Sequence, residues 1–344
     1  MIEFALATAL LVPSQHEAIV GSEFIYEEAP FPQCHASTIV ETPDGLVAAW
    51  FGGTREKHPD VGIWIARHDG SAWSQPVEVA NGIQYSKADG EVVRHPCWNP
   101  VLHQIHGGKL QLYYKCGPTP STWWGMLTES VDGGKTWSVP GRLPERIDGP
   151  VRNKPVVMKN GELLSGSSTE NDGWKVHFEI TADNGRSWTR VGPVDLGKTT
   201  GAIQPTILKH PDGTLQALCR NRDGNGFILS TSSKDNGRSW SVLKPIDLPN
   251  PNSGIDAVTL ADGRHLLVYN HTNRKGSPRN REMLNVAISK DGQKWSRVID
   301  LQNTPKSEFS YPAVVQTADG KVHITYTWKR TRVKHVVVDP AKLD

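Results

Sequence analysis

The sequence predicts an all-β fold, a six-bladed β-propeller, and three observations lead to it. First, almost no segment carries a sustained helical pattern, while Gly (32), Pro (24) and Trp (12) punctuate short apolar runs across the 344 residues. Second, one turn recurs. SVDGGKTW (Ser130 to Trp137), TADNGRSW (Thr181 to Trp188) and SKDNGRSW (Ser233 to Trp240) are near copies, and HDGSAW (His68 to Trp73) and SKDGQKW (Ser289 to Trp295) are shorter relatives. Third, a hairpin pattern recurs between these turns: a polar or aromatic residue, an apolar strand, a Gly-containing turn and a returning apolar strand. Its starts are His35, Asn99, Asn153, Gln204, Asp256 and Tyr311, spaced 64, 54, 51, 52 and 55 residues apart. Six such units, the first five with room for four strands, make six blades around an axis.

Each part of the repeat has a physical reason. In the recurrent turn the aspartate accepts local backbone hydrogen bonds, glycine permits positive φ, and tryptophan is expected to pack the turn against its own sheet. These aspartates are read as structural. The sixth unit has room for about three strands before Asp344, so a strand near the N-terminus, within Phe4 to Leu11 or Glu23 to Glu28, is expected to close the last blade and cover its edge. That closure makes residues 1–344 a single domain.

Composition narrows the functional classes. A formal net charge of +2 with no polybasic run gives no reason to expect a nucleic-acid or membrane partner; KRTRVKH (Lys329 to His335) reads as a solvated strand. MIEFALATALLVPSQ lacks a basic leading segment and contains Glu3, so it reads as a strand rather than a signal peptide. The expected location is cytoplasmic for a full-length chain, or periplasmic or secreted if an export signal has been removed. Cys34, Cys97, Cys116 and Cys219 show no short paired motif and read as free thiols, with a Cys34–Cys97 or Cys97–Cys116 pairing left open. No metal motif links His35 to His95, His177, His271 or His335, so no cofactor or metal is required; a structural cation is possible. Either a monomer or a homodimer joined through an outer face fits a closed propeller.

In a propeller the start of each first strand and the end of each second strand meet on one face. His35, Asn99, Asn153, Lys154, Gln204, Asp256 and Tyr311 lie at or beside the starts. Arg55, Lys115, Glu170, Arg220, Asn270 and Arg330 lie at or just beyond the returns. The cations Arg55, Lys115, Lys154, Arg220 and Arg330 suit an acidic sugar, and Trp98, Trp123, Trp124, Trp174 and Tyr311 offer apolar platforms for sugar faces. Trp123 and Trp124 are singled out because they follow the Pro-rich loop GPTPST.

The Asp-containing turns, together with QCHASTIV, WNPVL, NKPV, PNPNSGID and FSYPAV, resemble the sialidase-like, bacterial-neuraminidase-repeat superfamily over about residues 24 to 338. The resemblance implies a propeller that acts on an acidic oligosaccharide or polysaccharide. For an exo-sialidase it implies an arginine triad for the substrate carboxylate, a tyrosine nucleophile activated by glutamate, and an aspartate acid/base. Tyr311 matches the final-blade tyrosine and Arg220 an arginine ending the second strand of the fourth blade. Asp60 is the candidate acid/base, with Glu170 a stand-in activator. The chain departs from the pattern in two places: PQCH (Pro32 to His35) replaces the early arginine motif, and Gln204 stands where a carboxylate would activate tyrosine. An amide is no ordinary proton acceptor.

His35 also suggests resemblance to lyases that act on rhamnose-glucuronate glycans. There His35 would abstract the C5 proton of glucuronate, Arg55, Lys115, Lys154 or Arg220 would neutralise the developing enediolate, and Tyr311 or Lys154 would protonate the leaving oxygen. Three readings stand at this point: β-elimination through His35, sialidase-like hydrolysis through Tyr311, and a non-catalytic glycan-binding propeller.

Overall fold

The structure is a computed structural model that describes residues 16–222, 226–272 and 281–343. Six four-stranded antiparallel sheets surround an axis. Blade 1 comprises Gln33–Thr42, Gly45–Gly53, Gly62–His68 and Val77–Ala80, and blade 2 comprises Cys97–Gln104, Leu110–Cys116, Trp124–Ser130 and Gly141–Arg142. Blade 3 is Val156–Val157, Leu163–Thr169, Lys175–Thr181 and Thr189–Val191, and blade 4 is Ala202–Lys209, Leu215–Asn221, Phe227–Ser233 and Lys244–Pro249. Blade 5 is Asp256–Thr259, His265–Tyr269, Met283–Ser289 and Ser296–Asn303. Blade 6 has Phe309–Gln316, Val322–Trp328 and Arg332–Val338 from the C-terminal region, and its outer strand is Ile19–Phe24 from the N-terminal region.

That last pairing is the expected closure. Ile19 lies opposite Val338 and Phe24 opposite Lys334, so the edge of Arg332–Val338 is covered. The closing strand overlaps the expected Glu23 to Glu28 segment, whereas Phe4 to Leu11, like all of the first fifteen residues, lies outside the described residues. A two-stranded hairpin, Ile83–Ser86 with Val92–Arg94, is inserted between blades 1 and 2 and accounts for the long first interval of the repeat.

Blades pack face to face, so their middle strands are buried on both sides and read as continuous apolar runs. Every residue of Leu110–Cys116 (LQLYYKC) is buried. The core is accordingly divided among the blade interfaces. Leu102, Leu112 and Tyr114 pack with Val47, Phe51 and Ile63 between blades 1 and 2, and Val268 and Val286 pack with Val314 and Ile324 between blades 5 and 6.

The recurrent turns lie between third and fourth strands, on the face opposite the strand-one starts. Asp132 accepts from the backbone N–H groups of Lys135 and Thr136 and from the Thr136 hydroxyl, and Asp183 and Asp235 repeat the pattern. Their tryptophans depart from expectation, because they pack on the preceding blade rather than on their own sheet. Trp240 of blade 4 stacks on Phe178 of blade 3 with centroids 3.7 Å apart, and Trp188 of blade 3 meets Tyr113 of blade 2 edge-on. The reason is local: each indole N–H donates to the glycine carbonyl of its own turn, as Trp240 does to Gly237, and this aims the ring across the blade boundary. Among the described residues, no helix is long and apolar enough to cross a membrane. All four cysteines are free and buried; Cys97 and Cys116 are cross-strand partners within blade 2.

Candidate active site

The first strands of blades 1, 2, 4 and 6 share a bulge. Their pairing shifts between His35 and Thr38, Trp98 and Val101, Ile203 and Thr206, and Ser310 and Ala313. At each bulge one non-glycine residue has positive φ: Ala36 (57°), Asn99 (40°), Gln204 (57°) and Tyr311 (52°). Proline follows in three of the four, and its missing N–H suits a broken ladder. Left-handed backbone at a residue as bulky as tyrosine costs on the order of 1–3 kcal/mol and clusters at functional sites. The register also corrects the repeat. The blade-1 counterpart of Asn99, Gln204 and Tyr311 is Ala36, and His35 corresponds to Trp98, Ile203 and Ser310, so the repeat start in blade 1 falls one residue later than His35.

Tyr311 is the centre of the site. The Arg220 guanidinium donates to its hydroxyl at 2.6 Å and also reaches the Gln204 side-chain oxygen at 3.4 Å, while Arg220 Nε donates to Asn252 at 2.7 Å. Arg152, Arg281 and Arg220 lie 5.0, 5.4 and 5.7 Å from the ring centroid. Burial pulls the Tyr311 phenol upward, yet Arg220 and Arg281, with a hydrogen bond from Gln204, outweigh it and leave the phenol below its ordinary value. Gln204 therefore supports a phenolate as a donor.

His35 lies against this tyrosine. Its ring centroid is 4.0 Å from that of Tyr311, Nδ1 is 3.1 Å from the Thr327 hydroxyl, and the residue is only 2% exposed. Burial first, then Arg330, Arg281, Arg152 and Arg220, push the imidazole well below the ordinary histidine value. It is a neutral, enclosed ring packed against Tyr311.

Around this core the charges are arranged in pairs. Glu308 holds Arg281 at 3.0 Å and Arg330 at 3.1 Å, and Glu56 holds Arg330 at 2.6 Å. Glu170 faces Arg220 and Arg222, and both guanidiniums lie over the Trp174 ring. Burial raises the Glu170 carboxyl, and its arginine neighbours only partly offset this.

The sequence-predicted set thus divides. Tyr311, Arg220, Gln204, Glu170, Arg330, His35 and Trp174 come together through direct contacts or shared arginines. Lys154 and Asp256 form a 2.8 Å ion pair, and Asp256 also accepts from the Thr206 hydroxyl and the Val314 and Ala257 N–H groups, so this pair ties blades 3 to 6 together. Asn153 donates to the Gln204 carbonyl and Asn270 to the carbonyls of Met283 and Phe309; both brace backbone. Asn99 is buried at its bulge. Lys115 turns into the blade 2–3 boundary and donates to Pro150 O at 2.9 Å.

Asp60 lies on the loop after the second strand of blade 1. It accepts from Thr54 N–H and hydroxyl and contacts His58 at 2.8 Å; burial opposes these bonds, but they hold it below the usual carboxylate value. Arg55, on the same loop, is exposed. Trp123 and Trp124 line a separate cleft between blades 2 and 3. Sequence reasoning missed Arg152, Arg281, Glu56 and Glu308. Arg152 immediately precedes the predicted start Asn153, so the nearest signal was one residue away.

One buried group resembles a metal site. Asp148, His177 and Glu179 offer ligand atoms within 4.8 Å of one another. Both Glu179 oxygens, however, accept backbone N–H bonds from Asp148 and Gly149, and one lies 2.9 Å from His177. The Lys115 ammonium and Arg190 supply positive charge to the same group. Two carboxylates face two cations, so the cluster is balanced by the protein alone. It also clamps residues 148–150, the segment leading into Arg152.

A strained, arginine-flanked tyrosine in a six-bladed propeller, five of whose blades carry the Asp-containing turn, defines a sialidase-type propeller architecture. The chain belongs to the BNR repeat-like domain family, which matches residues 44–324. It is similar to a sialidase of Clostridium perfringens, 28% identical over a 170-residue alignment covering 39% of this chain and 44% of the sialidase, so the match takes in less than half of that relative. Its fold is similar to that of a protein of unknown function from Dyadobacter fermentans (TM-score 0.74, 18% identity, 93% of this chain and 98% of that one). It is likewise similar to the NanB sialidase of Streptococcus pneumoniae (TM-score 0.73, 12% identity, 94% and 71%).

Proposed function

We propose that the chain is a sialidase-like glycoside hydrolase that removes a terminal carboxylate-bearing sugar from a glycan, with Tyr311 as nucleophile. The observation that carries this reading is the Tyr311 hydroxyl at 2.6 Å from Arg220, with Arg281 beside the same ring. Arg220 and Arg281 suit the sugar carboxylate, and the similarity to proteins described as sialidases supports that substrate class. The Tyr311 phenolate attacks the anomeric carbon, the bond to the departing glycan breaks, and the departing oxygen takes a proton from Glu170. Water then displaces Tyr311, giving its proton to the Glu170 carboxylate and releasing the free acidic sugar. Glu170 is preferred over Asp60 as proton donor because burial favours its protonated form, whereas Asp60 is held ionised.

Hydrolysis is favoured over elimination because His35 is enclosed against Tyr311, with one ring nitrogen at Thr327. Gln204 favours a second reading, a glycan-binding propeller, since no carboxylate stands at that position to take the tyrosine proton. A panel of acidic glycans distinguishes them. Free acidic sugar is expected from the wild type, with a loss of about 10³-fold or more in Tyr311→Phe at unchanged folding. Binding without product would support the binding module, and an unsaturated uronate product would restore elimination.

A further inference from the structure

We propose that the cleft between blades 2 and 3 is a second sugar-binding site, taking the neutral sugars that follow the acidic sugar held beside Tyr311. The inference rests on the proposed hydrolase reading, which puts the first sugar beside Tyr311. The cleft measures about 610 Å³, within the range of small-ligand pockets, and Trp123, Trp124, Arg142 and Arg146 contribute to its wall.

Topology places it on the functional face. In a four-stranded antiparallel blade, the start of strand one shares a face with the ends of strands two and four. The cleft is built from residues at those ends: Trp123 precedes the third strand of blade 2, Arg142 and Arg146 end and follow its fourth strand, and Asn171 follows the second strand of blade 3. By contrast, the clefts containing Asp44 and Asp212 open at turns between first and second strands, on the other face. The second-site cleft also adjoins the residues around Tyr311. Trp123 meets Trp98, neighbour of the bulged Asn99, with centroids 6.0 Å apart, and Asn171 directly follows Glu170, which faces Arg220.

The chemistry of the wall suits a neutral, hydroxyl-rich ligand. Trp123 and Trp124 are half-buried and line the cleft, where the unburied part of their indoles suits sugar faces, and the Arg142 guanidinium lies 4.8 Å over the Trp124 ring. Arg142 is exposed and forms no ion pair among the described residues. The wall carries both signs: exposed Glu145 lines it together with Arg142 and Arg146, and Lys175 is paired with Asp172 at 2.5 Å. Mixed signs recognise hydroxyls by donor and acceptor together; a polyanion would meet the carboxylates.

Calorimetric titration of the full chain carrying Tyr311→Phe, which keeps the ring but does not turn the probes over, tests the proposal with three probes: methyl α-N-acetylneuraminide, sialyllactose, in which the same acid caps two neutral sugars, and an oligomer of sialic acid. Sialyllactose is expected to bind this parent about 10-fold tighter than the methyl glycoside, the worth of one or two sugar-aromatic and arginine contacts. Adding Arg142→Ala should remove most of that gain and leave the methyl glycoside unchanged, and adding Arg146→Ala should reduce it. Equal affinity of the first two probes in the parent, or equal weakening of both by Arg142→Ala, overturns the second site. Tighter binding of the sialic-acid oligomer than of sialyllactose overturns the assignment to neutral sugars. Sialyllactose binding that depends on Arg142 while the methyl glycoside does not bind would leave the cleft standing and overturn the placement of the acidic sugar beside Tyr311. No binding by any probe overturns both.

Discussion

At the scale of single residues, the site is governed by the ionisation of one phenol. Tyr311 is pulled in opposite directions, upward by burial and downward by Arg220 and Arg281, and the arginines prevail. In a difference titration of wild type against Tyr311→Phe, followed by phenolate absorbance, Tyr311 should titrate below the usual tyrosine value of about 10. Replacing Arg220 by Met removes the donor to its hydroxyl and a neighbouring positive charge, and the midpoint should rise. An unmoved midpoint would show that Arg220 does not set the phenol. Tyr311 and Arg220 were both legible in the sequence because each ends or begins a recurring strand. Arg281 was not, since it lies in the charged stretch NRKGSPRNRE, where nothing in the spacing distinguishes one arginine from the next. Gln204 illustrates a different limit: the sequence shows that it is no ordinary proton acceptor, and only the geometry shows its side-chain oxygen facing the same guanidinium that donates to Tyr311.

Among elements, the Asp-containing turn was the clearest signal, because its hydrogen bonds are local and need only the turn itself. Its tryptophan was misassigned for the complementary reason: the ring's direction is set by the indole bond to glycine, and its partner lies on another blade, more than fifty residues away in the pair Phe178 and Trp240. The strand-one bulge escaped notice because a one-residue register shift leaves the apolar pattern of His35 to Val40 unchanged. The turns themselves predict an acid response. Hydrogen bonds from Ser187 hold Asp183 at about 2, and the Ser239 hydroxyl, opposed by slight burial, holds Asp235 at about 2. Both lie below an unfolded value of about 3.9, so the stabilisation is fully present above that value and is lost as pH falls through about 2. Asp235→Asn should lower the melting temperature at pH 7, with the two proteins converging near pH 2. A constant difference across that window would mean that the charge of Asp235 contributes nothing to the turn.

The whole molecule is a ring, and a ring needs both a closed circumference and a fixed hub. The circumference was foreseen from strand counting, and Ile19–Phe24 supplies it. The hub is not legible from spacing, because strand-start position alone cannot tell a side chain that lines the site from one that pairs at the axis, as Lys154 and Asp256 do. Asp256 is 2% exposed, and four donors from blades 3 to 6 converge on its carboxylate, including the Lys154 ammonium. Burial lowers the Lys154 amine, and Asp256 is the group that opposes this. Asp256→Asn keeps the shape but leaves the buried ammonium without its counter-charge, and breaking such a pair costs about 3–5 kcal/mol. Urea unfolding should therefore show a loss of that order for Asp256→Asn, with part of it recovered when Lys154→Met is added, because the second change removes the uncompensated charge. If Asp256→Asn unfolds at the wild-type midpoint, the pair is not the hub. A single cooperative transition in both variants would further show that the six blades unfold together, as expected when one carboxylate joins four of them.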